Sequence, residues 1–421
     1  MIVYTSQRES ILLGVKPFAS GGEGAIYKAQ SLSTHLRNVC VKVYHPHILN
    51  KEREERIKYM ALNPPAKIRD EGFLLGWPID YVTDQAGKFL GFVMPMGFPG
   101  SKELVTLTST TMSRKLDEQW YDRYNRDLGE RARIRRLKLI CNIAIPVHVL
   151  HATGKYVLKD LKPQNVLATH DGRITMVDMD SIQIADRGKL LFPGTAATPD
   201  YMPPEFYKYG LGQNANDVIS PSWDTFSLGI IFYQLLFGIH PYVVTPKQLG
   251  DDSSNDISRN IAMGYFPFGA RKDMIAVRPP LHDKFLSLPR EFQQMFLKTF
   301  SDDSKNRPTA EQWGRYIHQI VVEAEQKCDL SVIRANFCPN CGHKYVEGQD
   351  VKFCTECGNR RLKAYLAPAP GADSVPKGQP LHTVFCPECG SRLSQLDTAF
   401  CTQCGTPRII YPVDEWQQGV N

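Results

Sequence analysis

The distribution of cysteine divides this chain into two parts with different folding requirements. Eight of its eleven cysteines follow residue 337 and form four Cys-x-x-Cys pairs, each followed directly by a glycine. Four thiolates in two neighbouring pairs suit one tetrahedral zinc ion. A segment this short has little apolar core, so bound metal must supply much of its folding free energy. The pairs are Cys338/Cys341, Cys354/Cys357, Cys386/Cys389 and Cys401/Cys404.

The two halves of the cysteine-rich part repeat one another. Phe-Cys-Pro-x-Cys-Gly opens each half and Phe-Cys-Thr-x-Cys-Gly closes it, so we expect two structural zinc ions. Disulfides conflict with a cytoplasmic location, four pairs are too many for one redox centre, and an iron–sulfur cluster remains an alternative. The repeats resemble double zinc ribbons, over residues 333–364 and 381–411. Residues 365–380 are rich in Pro, Gly and Ala, which predicts a flexible linker and ribbons that move relative to each other.

Composition allows the part before these cysteines to be a large folded enzyme. The chain has 421 residues, of which 42% are hydrophobic and 22% charged, enough for two or three domains with a sizeable core. Its longest nearly apolar stretch, residues 226–239, is too short to span a bilayer. The first residues lack a basic start followed by an apolar core, so we expect no signal peptide and a cytoplasmic location.

The positive charge is unevenly distributed. The net charge is +6, and residues 113–140 carry nine Lys/Arg against five Asp/Glu. We interpret this segment as a polar helix with a solvated charged face. From residue 329 onward, nine basic and nine acidic residues balance. Nucleic-acid binding requires Lys/Arg to neutralise phosphates, so the neutral ribbons argue against a nucleic-acid partner.

The run Lys-Asp-Leu-Lys-Pro-Gln-Asn at residues 159–165 carries the groups that phosphoryl transfer requires. Asp160 can accept a hydroxyl proton, and Lys162 can neutralise a phosphoryl oxygen. Asn165 can offer its amide oxygen to a magnesium ion. Thirteen residues later, Asp178 ends an apolar, strand-like run and supplies a second metal-binding group. Catalysis at such a site is mostly positioning and charge neutralisation.

A glycine-rich run and a strand with one lysine form the second motif. Residues 19–29 are rich in glycine, and such backbone can fold over phosphates and offer N–H donors. Lys42 follows inside an apolar, strand-like run, where a lysine requires anionic partners. A nucleotide's phosphates and a helix glutamate would be those partners. We choose Glu54 over Glu55, because Glu54 lies three residues before the apolar Ile57 on a predicted helix.

In this order the motifs resemble those of eukaryotic-type protein kinases, over about residues 12–325. The resemblance implies an α+β fold of two lobes over residues 1–328, with a small lobe at about 10–96 and a large lobe at about 97–328. It implies transfer of the γ-phosphoryl group of ATP to serine or threonine of protein substrates, with ATP and Mg²⁺ as cofactors. Catalysis is assigned to Asp160 and Lys162. The implied residues for ATP and its magnesium are Gly21, Gly22, Gly24, Ile26, Lys42, Glu54, Met96, Gly97, Asn165 and Asp178.

Further landmarks of the large lobe follow in kinase order. The resemblance implies that Thr198 contacts the catalytic aspartate and lysine, as in serine/threonine-specific members. It also implies that Asp224 orients the backbone of the catalytic loop. Glu205 and Arg307 would form a buried structural pair, in which either residue alone would be a costly charge.

Some positions depart from the kinase pattern. Leu158 and Lys159 replace the usual histidine and arginine, and lysine lacks the bidentate fork that binds a phosphorylated activation loop. We therefore expect no control through that contact. Asp180 replaces a flexible glycine after Asp178, which disfavours an inactive flip of the segment and offers a further carboxylate to the metal. Since Lys42, the catalytic aspartate and the metal aspartate are all present, we prefer an active kinase to a pseudokinase scaffold.

Residues 54–95 are most similar to a bacterial group of kinases. These occur with von Willebrand-type and PP2C-type phosphatase proteins in tellurite-resistance-associated phosphorylation systems. The resemblance implies such proteins as partners by analogy. We expect the ribbons to dock protein substrates or partners. The alternative is an ATP-binding scaffold that recruits partners through its ribbons.

Overall fold

The structure is a computed structural model in which the chain divides into two units, Met1–Gln319 and Ile320–Asn421. The predicted boundary at 328 therefore falls inside the second unit. Up to residue 327 the structure describes every residue except 32–35, 37, 113–115, 117, 127–129, 210–216 and 249–255. Beyond it, the structure describes residues 333–334, 337–338, 341–345, 354–356, 363–366, 381–382, 385–386, 389–392 and 409–412.

Strands of the first unit build the small lobe and line the large one. In chain order they are β1 (Ile2–Tyr4), β2 (Ser10–Leu13), β3 (Ala19–Ser20), β4 (Gly24–Ser31), β5 (Val39–Tyr44), β6 (Phe73–Leu75), β7 (Asp80–Thr83), β8 (Phe89–Pro95), β9 (Lys102–Glu103), β10 (Tyr156–Val157), β11 (Val166–Ala168), β12 (Ile174–Met176), β13 (Gln183–Asp186), β14 (Lys189–Phe192), β15 (Thr245–Pro246) and β16 (Ile275–Val277).

The small lobe is an antiparallel sheet closed into a barrel. Its strands follow the order β2-β1-β7-β8-β5-β4-β3, and β2 also pairs with β4. Side chains alternate between the two faces of a strand, so Val3, Ile11, Val41, Val82 and Val93 point inward and are fully buried. The lobe therefore starts at β1, earlier than the predicted boundary near residue 10.

The helices lie in the large lobe, apart from α1 beside the barrel. They are α1 (Lys51–Leu62), α2 (Val105–Thr108), α3 (Glu118–Tyr124), α4 (Glu130–His151), α5 (Pro204–Tyr209), α6 (Ser222–Phe237), α7 (Ile257–Ala262), α8 (Arg290–Thr299) and α9 (Ala310–Lys327). The α+β class is thus confirmed. None of the helices that the structure describes is both long and apolar enough to cross a membrane.

The core of the large lobe surrounds α6, which is buried over nearly its whole length. Phe232 on α6 packs edge-on against Trp313 of α9, which also contacts Phe296 of α8. A second sheet of this lobe is formed by strands in the order β6-β12-β11-β9. Because β6 pairs in parallel with β12, residues 73–75 belong to the large-lobe sheet although they precede the predicted lobe boundary.

The basic segment before the catalytic loop is only partly solvated. Arg123 and Arg136 are 8% and 2% exposed, so the expected fully solvated face is wrong at these two positions. Arg136 donates to the carbonyls of Leu107 and Leu235 at 3.3 and 2.8 Å. Burial lowers its pKa to about 9. These carbonyls lie at the ends of α2 and α6, where a cation is favourable.

The cysteine-rich unit contains one sheet shared by both repeats. Its strands are β17 (Ile333–Arg334), β18 (Lys363–Leu366), β19 (Leu381–His382) and β20 (Ile409–Pro412). The hairpins β17–β18 and β19–β20 join through antiparallel pairing of β18 with β20. The first repeat is therefore hydrogen-bonded to the second, which contradicts the prediction of independently moving ribbons. β18 also extends into the predicted linker, of which residues 367–380 lie outside the described part.

Reciprocal packing of phenylalanine on glycine reinforces this junction. Gly342 and Gly390 both have positive φ, 77° and 70°, as a turn beside a metal ligand requires. A Cβ on Gly390 would lie 2.7 Å from the ring of Phe337, and one on Gly342 would lie 3.0 Å from the ring of Phe385. Each repeat thus places its phenylalanine on the glycine of the other. Gly358 and Gly405 of the closing pairs lie outside the described residues.

Candidate active site

The two predicted catalytic side chains and Thr198 form a ring of hydrogen bonds. Lys162 Nζ donates to Asp160 Oδ2 at 2.7 Å and to Thr198 Oγ1 at 2.8 Å. The Thr198 hydroxyl in turn donates to Asp160 Oδ1 at 2.6 Å. The expected contact of Thr198 with both groups is confirmed. The ring fixes the carboxylate and the ammonium at one place in the cleft.

Asp224 on α6 holds the backbone that carries this ring. Its fully buried carboxylate accepts the amides of Leu158 and Lys159, both at 2.8 Å, and its Oδ2 lies 2.8 Å from His151 Nε2. Lys159 has a φ of 64°, a conformation that costs free energy for a residue with a side chain. The two amide bonds to Asp224 stabilise that turn, which confirms the expected role of Asp224.

The predicted magnesium ligands line the same cleft as Asp160. Asn165 donates its amide NH₂ to the Asp160 carbonyl at 2.9 Å, which leaves its amide oxygen as a possible ligand. Asp178 adopts a left-handed backbone, with φ 58° and ψ 36°, and lines the cleft together with Asp160 and Asn165. An amide and a carboxylate oxygen fit Mg²⁺, a hard cation that prefers oxygen. Desolvation, together with Asp180, outweighs Lys42 and raises the pKa of Asp178.

Lys42 pairs with Asp180 and not with the predicted Glu54. Its Nζ donates to both carboxylate oxygens of Asp180, at 2.9 and 2.8 Å. Glu54 instead accepts from Lys58, one turn along α1, at 2.6 Å. Desolvation lowers the pKa of Lys42, but the carboxylates, with Asp180 first, outweigh it and raise the pKa overall. The Glu54 prediction is therefore wrong in this structure, and Asp180 is not a spare carboxylate for the metal.

Arg53 connects α1 to the glycine-rich turn. Its guanidinium donates to both oxygens of Glu23, at 3.0 and 2.8 Å, and lies 3.6 Å from the Asp180 carboxylate. Glu23 also lies 3.6 Å from Lys42 Nζ. Sequence reasoning missed Arg53 and Glu23. The signal for Arg53 was present, because it precedes the buried Ile57 and Met60 by four and seven residues, the spacing of one helix face.

Of the predicted glycines, Gly21 and Gly22 lie in the turn between β3 and β4, and Gly24 begins β4. Gly21 and Gly22 are exposed, and a Cβ on either would meet nothing within 4 Å. Gly24 differs, since its Cβ would lie 2.5 Å from the Val43 carbonyl, so β4 and β5 require glycine there. Ile26 follows in β4 opposite Lys42. The turn thus leads into the strand that pairs with β5, the strand that carries Lys42.

The kinase resemblance implies that adenine binds the backbone at residues 95–97, just after β8, through the Pro95 carbonyl and the Gly97 amide. The amide of Met96, which is also assigned to ATP, donates to the Asn38 carbonyl at 2.7 Å, so this amide is engaged within the small lobe. A Cβ on Gly97 would lie 3.5 Å from the side chain of Thr175, in ordinary contact.

Two cations bind the segment between Asp178 and Thr198 through its backbone. Lys159 Nζ donates to the Gly194 carbonyl at 2.9 Å. Arg56 of α1 donates to the carbonyls of Ile182 and Pro193, at 2.7 and 2.6 Å. Burial lowers the pKa of both side chains. The two cations thus bind neutral backbone carbonyls of this segment. In the kinase pattern, the corresponding arginine binds a phosphate group on the segment.

The expected structural pair of the large lobe is confirmed. Arg307 is buried, and its guanidinium donates to both oxygens of Glu205, at 2.6 and 2.8 Å. Such bidentate pairs combine charge with fixed geometry. The pair joins the start of α5 to the residues before α9.

The described cysteines fit a zinc ion. The sulfurs of Cys338, Cys341 and Cys354 all lie within 4.8 Å of one another, and Cys341 lies 3.7 Å from Cys354. Tetrahedral zinc with bonds of about 2.3 Å separates its sulfurs by about 3.8 Å. The fourth predicted ligand, Cys357, lies outside the described residues. So do Cys401 and Cys404 of the second repeat, where Cys386 and Cys389 are described.

Fold and site together have the arrangement of a protein kinase, two lobes around a cleft, followed by a cysteine-rich ribbon unit. The protein kinase domain family matches residues 102–316, more than half of the chain, and the double zinc ribbon family matches residues 338–405. The chain therefore belongs to the protein kinase family.

Relatives support the same assignment. Protein kinase YegI of Escherichia coli O157:H7 is 25% identical over 372 residues, which is 85% of this chain and 52% of that protein. Protein kinase YegI of Escherichia coli strain K12 is 25% identical over 368 residues, with the same shares. Human serine/threonine-protein kinase MRCK gamma is 33% identical over 104 residues, 24% of this chain and 6% of that protein. The chain thus spans about half the length of the YegI proteins.

Proposed function

We propose that this chain is an ATP-dependent serine/threonine protein kinase. The observation that carries the proposal is the ring of Asp160, Lys162 and Thr198. It holds the Asp160 carboxylate, which can accept a hydroxyl proton, beside the Lys162 ammonium, which can bind a phosphoryl oxygen. A pseudokinase has no need for this arrangement, because nucleotide binding alone does not use a proton acceptor.

The reaction follows from that geometry. Asp160 orients the substrate hydroxyl and accepts its proton as the oxygen bonds to the γ-phosphorus of ATP. The bond from the γ-phosphorus to the bridging oxygen breaks, and ADP leaves. Lys162 neutralises charge on the transferred group. Thr198 holds both side chains in position through its two hydrogen bonds.

The nucleotide would be held from both lobes. Lys42 would pair with the α- and β-phosphates beneath the glycine-rich turn, and the backbone amide of Gly97 would donate a hydrogen bond to the adenine. Asn165 and Asp178 would hold magnesium. When bound, Mg²⁺ neutralises the phosphate oxygens and orients them for in-line transfer. The cofactors we propose are therefore ATP and Mg²⁺ in the kinase and zinc in the ribbons.

The ribbons would dock protein substrates or partners. Their sequence carries equal numbers of acidic and basic residues, which favours protein over nucleic acid. The phosphatase and von Willebrand-type partners implied by the sequence resemblance stay predictions. So does a cytoplasmic location.

Phosphate transfer from labelled ATP tests the proposed function. We expect the chain to label peptides with a central serine or threonine, and not matched tyrosine peptides, when magnesium is present. Asp160→Ala should abolish the labelling with its melting temperature unchanged. Labelling of tyrosine peptides would contradict the specificity. Labelling retained by Asp160→Ala would contradict the assigned catalytic residue, and ATP binding without labelling would favour the scaffold.

A further inference from the structure

The anionic partner of Lys42 comes from an element that the kinase resemblance does not assign to it. We infer that Asp180 is the residue that positions Lys42 for ATP, in place of a glutamate from α1. The inference rests on the proposed function, since it concerns the same phosphate site. Positioning Lys42 is thus the role that we assign to Asp180, which replaces the glycine of the kinase pattern two residues after the metal ligand Asp178.

Burial and hydrogen bonding favour Asp180 strongly. Its side chain is 1% exposed, and its two oxygens accept from Lys42 and from the Tyr44 hydroxyl, the latter at 2.7 Å. A buried lysine requires a buried acidic partner held by further hydrogen bonds, and Asp180 meets that requirement with both of its oxygens. Asp180 therefore holds Lys42 in place.

The face of α1 toward the site supports the same conclusion. It presents cations and no partner for Lys42: Arg53 reaches Asp180 and Glu23, and the buried Arg56 donates to backbone carbonyls within residues 182–193. Glu54 lies on the flank and pairs with Lys58. In the kinase pattern, the helix supplies the acidic partner of the lysine. Here the acid is Asp180, two residues after Asp178, and the helix supplies the basic residue Arg53.

This exchange couples two parts of the nucleotide site. The phosphate-binding lysine is fastened to Asp180, and the metal-binding carboxylate Asp178 lies two residues away on the same 3₁₀ turn. A shift of that turn would move both groups together. Lys42 is correspondingly less dependent on the position of α1, which reaches the Asp180 carboxylate through Arg53 at 3.6 Å and the carbonyl of Ile182, at the end of the turn, through Arg56 at 2.7 Å.

Four single variants and one double variant test the inference. We expect Asp180→Asn to lower kcat/KM for MgATP, and the affinity for a fluorescent ATP analogue, by at least about tenfold. Glu54→Gln should stay within about twofold of wild type, with the exposed Glu55→Gln as the matched control. Asp180 acts through Lys42, so Asp180→Asn should cause no further loss of nucleotide affinity in a Lys42→Met background.

Each outcome decides the inference. A tenfold loss for Asp180→Asn that disappears in the Lys42→Met background supports it. Wild-type values for Asp180→Asn, an undiminished loss in the Lys42→Met background, or a tenfold loss for Glu54→Gln overturns it. If Asp180→Asn does not fold, Glu54→Gln decides: retained affinity supports the inference and a tenfold loss overturns it. If wild type binds MgATP but transfers nothing, the proposed function fails, and nucleotide affinity still decides the role of Asp180.

Discussion

Individual residues show how far local sequence determines this site. Asp160, Lys162 and Asn165 lie within one loop, so their spacing alone brought them together as predicted. The partner of Lys42 could not be predicted in this way, because Asp180 follows it by 138 positions and only the closed fold joins them. The choice of Glu54 failed for a different reason. It placed an acid on a helix face that is centred on Arg53, Ile57 and Met60.

A buried ion pair at the residue scale gives the first prediction. Arg307→Met would leave the Glu205 carboxylate without its bidentate partner, so we expect a loss of about 3–5 kcal/mol in the free energy of unfolding. Urea denaturation measures this loss. Arg315→Met is the matched control, because Arg315 is 81% exposed and pairs with Glu311 one turn away, an interaction worth at most about 0.5 kcal/mol. Equal losses in the two variants would contradict the prediction.

A buried histidine gives the pH dependence. His240 lies between the Asp200 carbonyl and the Tyr242 amide. Burial lowers its pKa to about 3, with a small contribution from His282. The unfolded chain therefore binds more protons than the folded one between about pH 6.5 and pH 3, and the free energy of unfolding falls as the pH falls through that range.

We expect His240→Gln to reduce this acid sensitivity. Urea midpoints measured from pH 7 to pH 4 should fall less steeply in the variant, and the wild-type slope from this one group is at most about 1.4 kcal/mol per pH unit. The exposed His47→Gln serves as the control. An identical pH slope in His240→Gln and wild type would contradict the assignment of a buried neutral histidine.

At the scale of elements, helix α1 acts mainly on residues 182–194, to which Arg56 donates two hydrogen bonds. Asn50 caps the helix by accepting the Arg53 amide at 2.8 Å, and this fixes which side chains face the cleft. Strand β5 and helix α1 were predicted correctly because apolar runs and charged periodicity are local signals. The closure of the barrel by β1 and β2 was not, since short strands are defined by their distant partners.

The third prediction concerns residues 182–194, which include β13 and β14. Arg56→Met removes two hydrogen bonds to its carbonyls, so we expect faster amide exchange across 182–194. Hydrogen–deuterium exchange with mass spectrometry measures the change. Lys58→Met, which removes the partly exposed pair of Lys58 with Glu54 and its contact with the Tyr81 ring, both outside residues 182–194, is the control. Unchanged exchange in Arg56→Met would show that the segment is held by other contacts.

At the scale of the whole molecule, the chain combines a kinase unit that folds around its own apolar core with a ribbon unit that we expect to depend on metal. The cysteine spacing predicted the ribbons correctly. It could not reveal that β18 and β20 join the two repeats, because the linker composition carries no information about pairing between strands.

Removal of zinc gives the fourth prediction. A strong chelator should abolish amide protection in β18 and β20 while the strands of the kinase unit keep theirs, since only the ribbons require metal to fold. Cys338→Ser should lose about half of the bound zinc if each repeat holds one ion, and Cys141→Ser should lose none. Protection of β18 and β20 that survives complete zinc removal would contradict the prediction.

The most direct test of the central claim is a single-turnover transfer from γ-labelled ATP. Wild-type chain in excess over ATP, with magnesium, is predicted to move the label to serine or threonine hydroxyls. Asp160→Asn, which keeps the side-chain shape but cannot accept the proton, is predicted to bind ATP and to transfer at most about 1% of the wild-type rate. Equal rates for the two proteins would contradict the account.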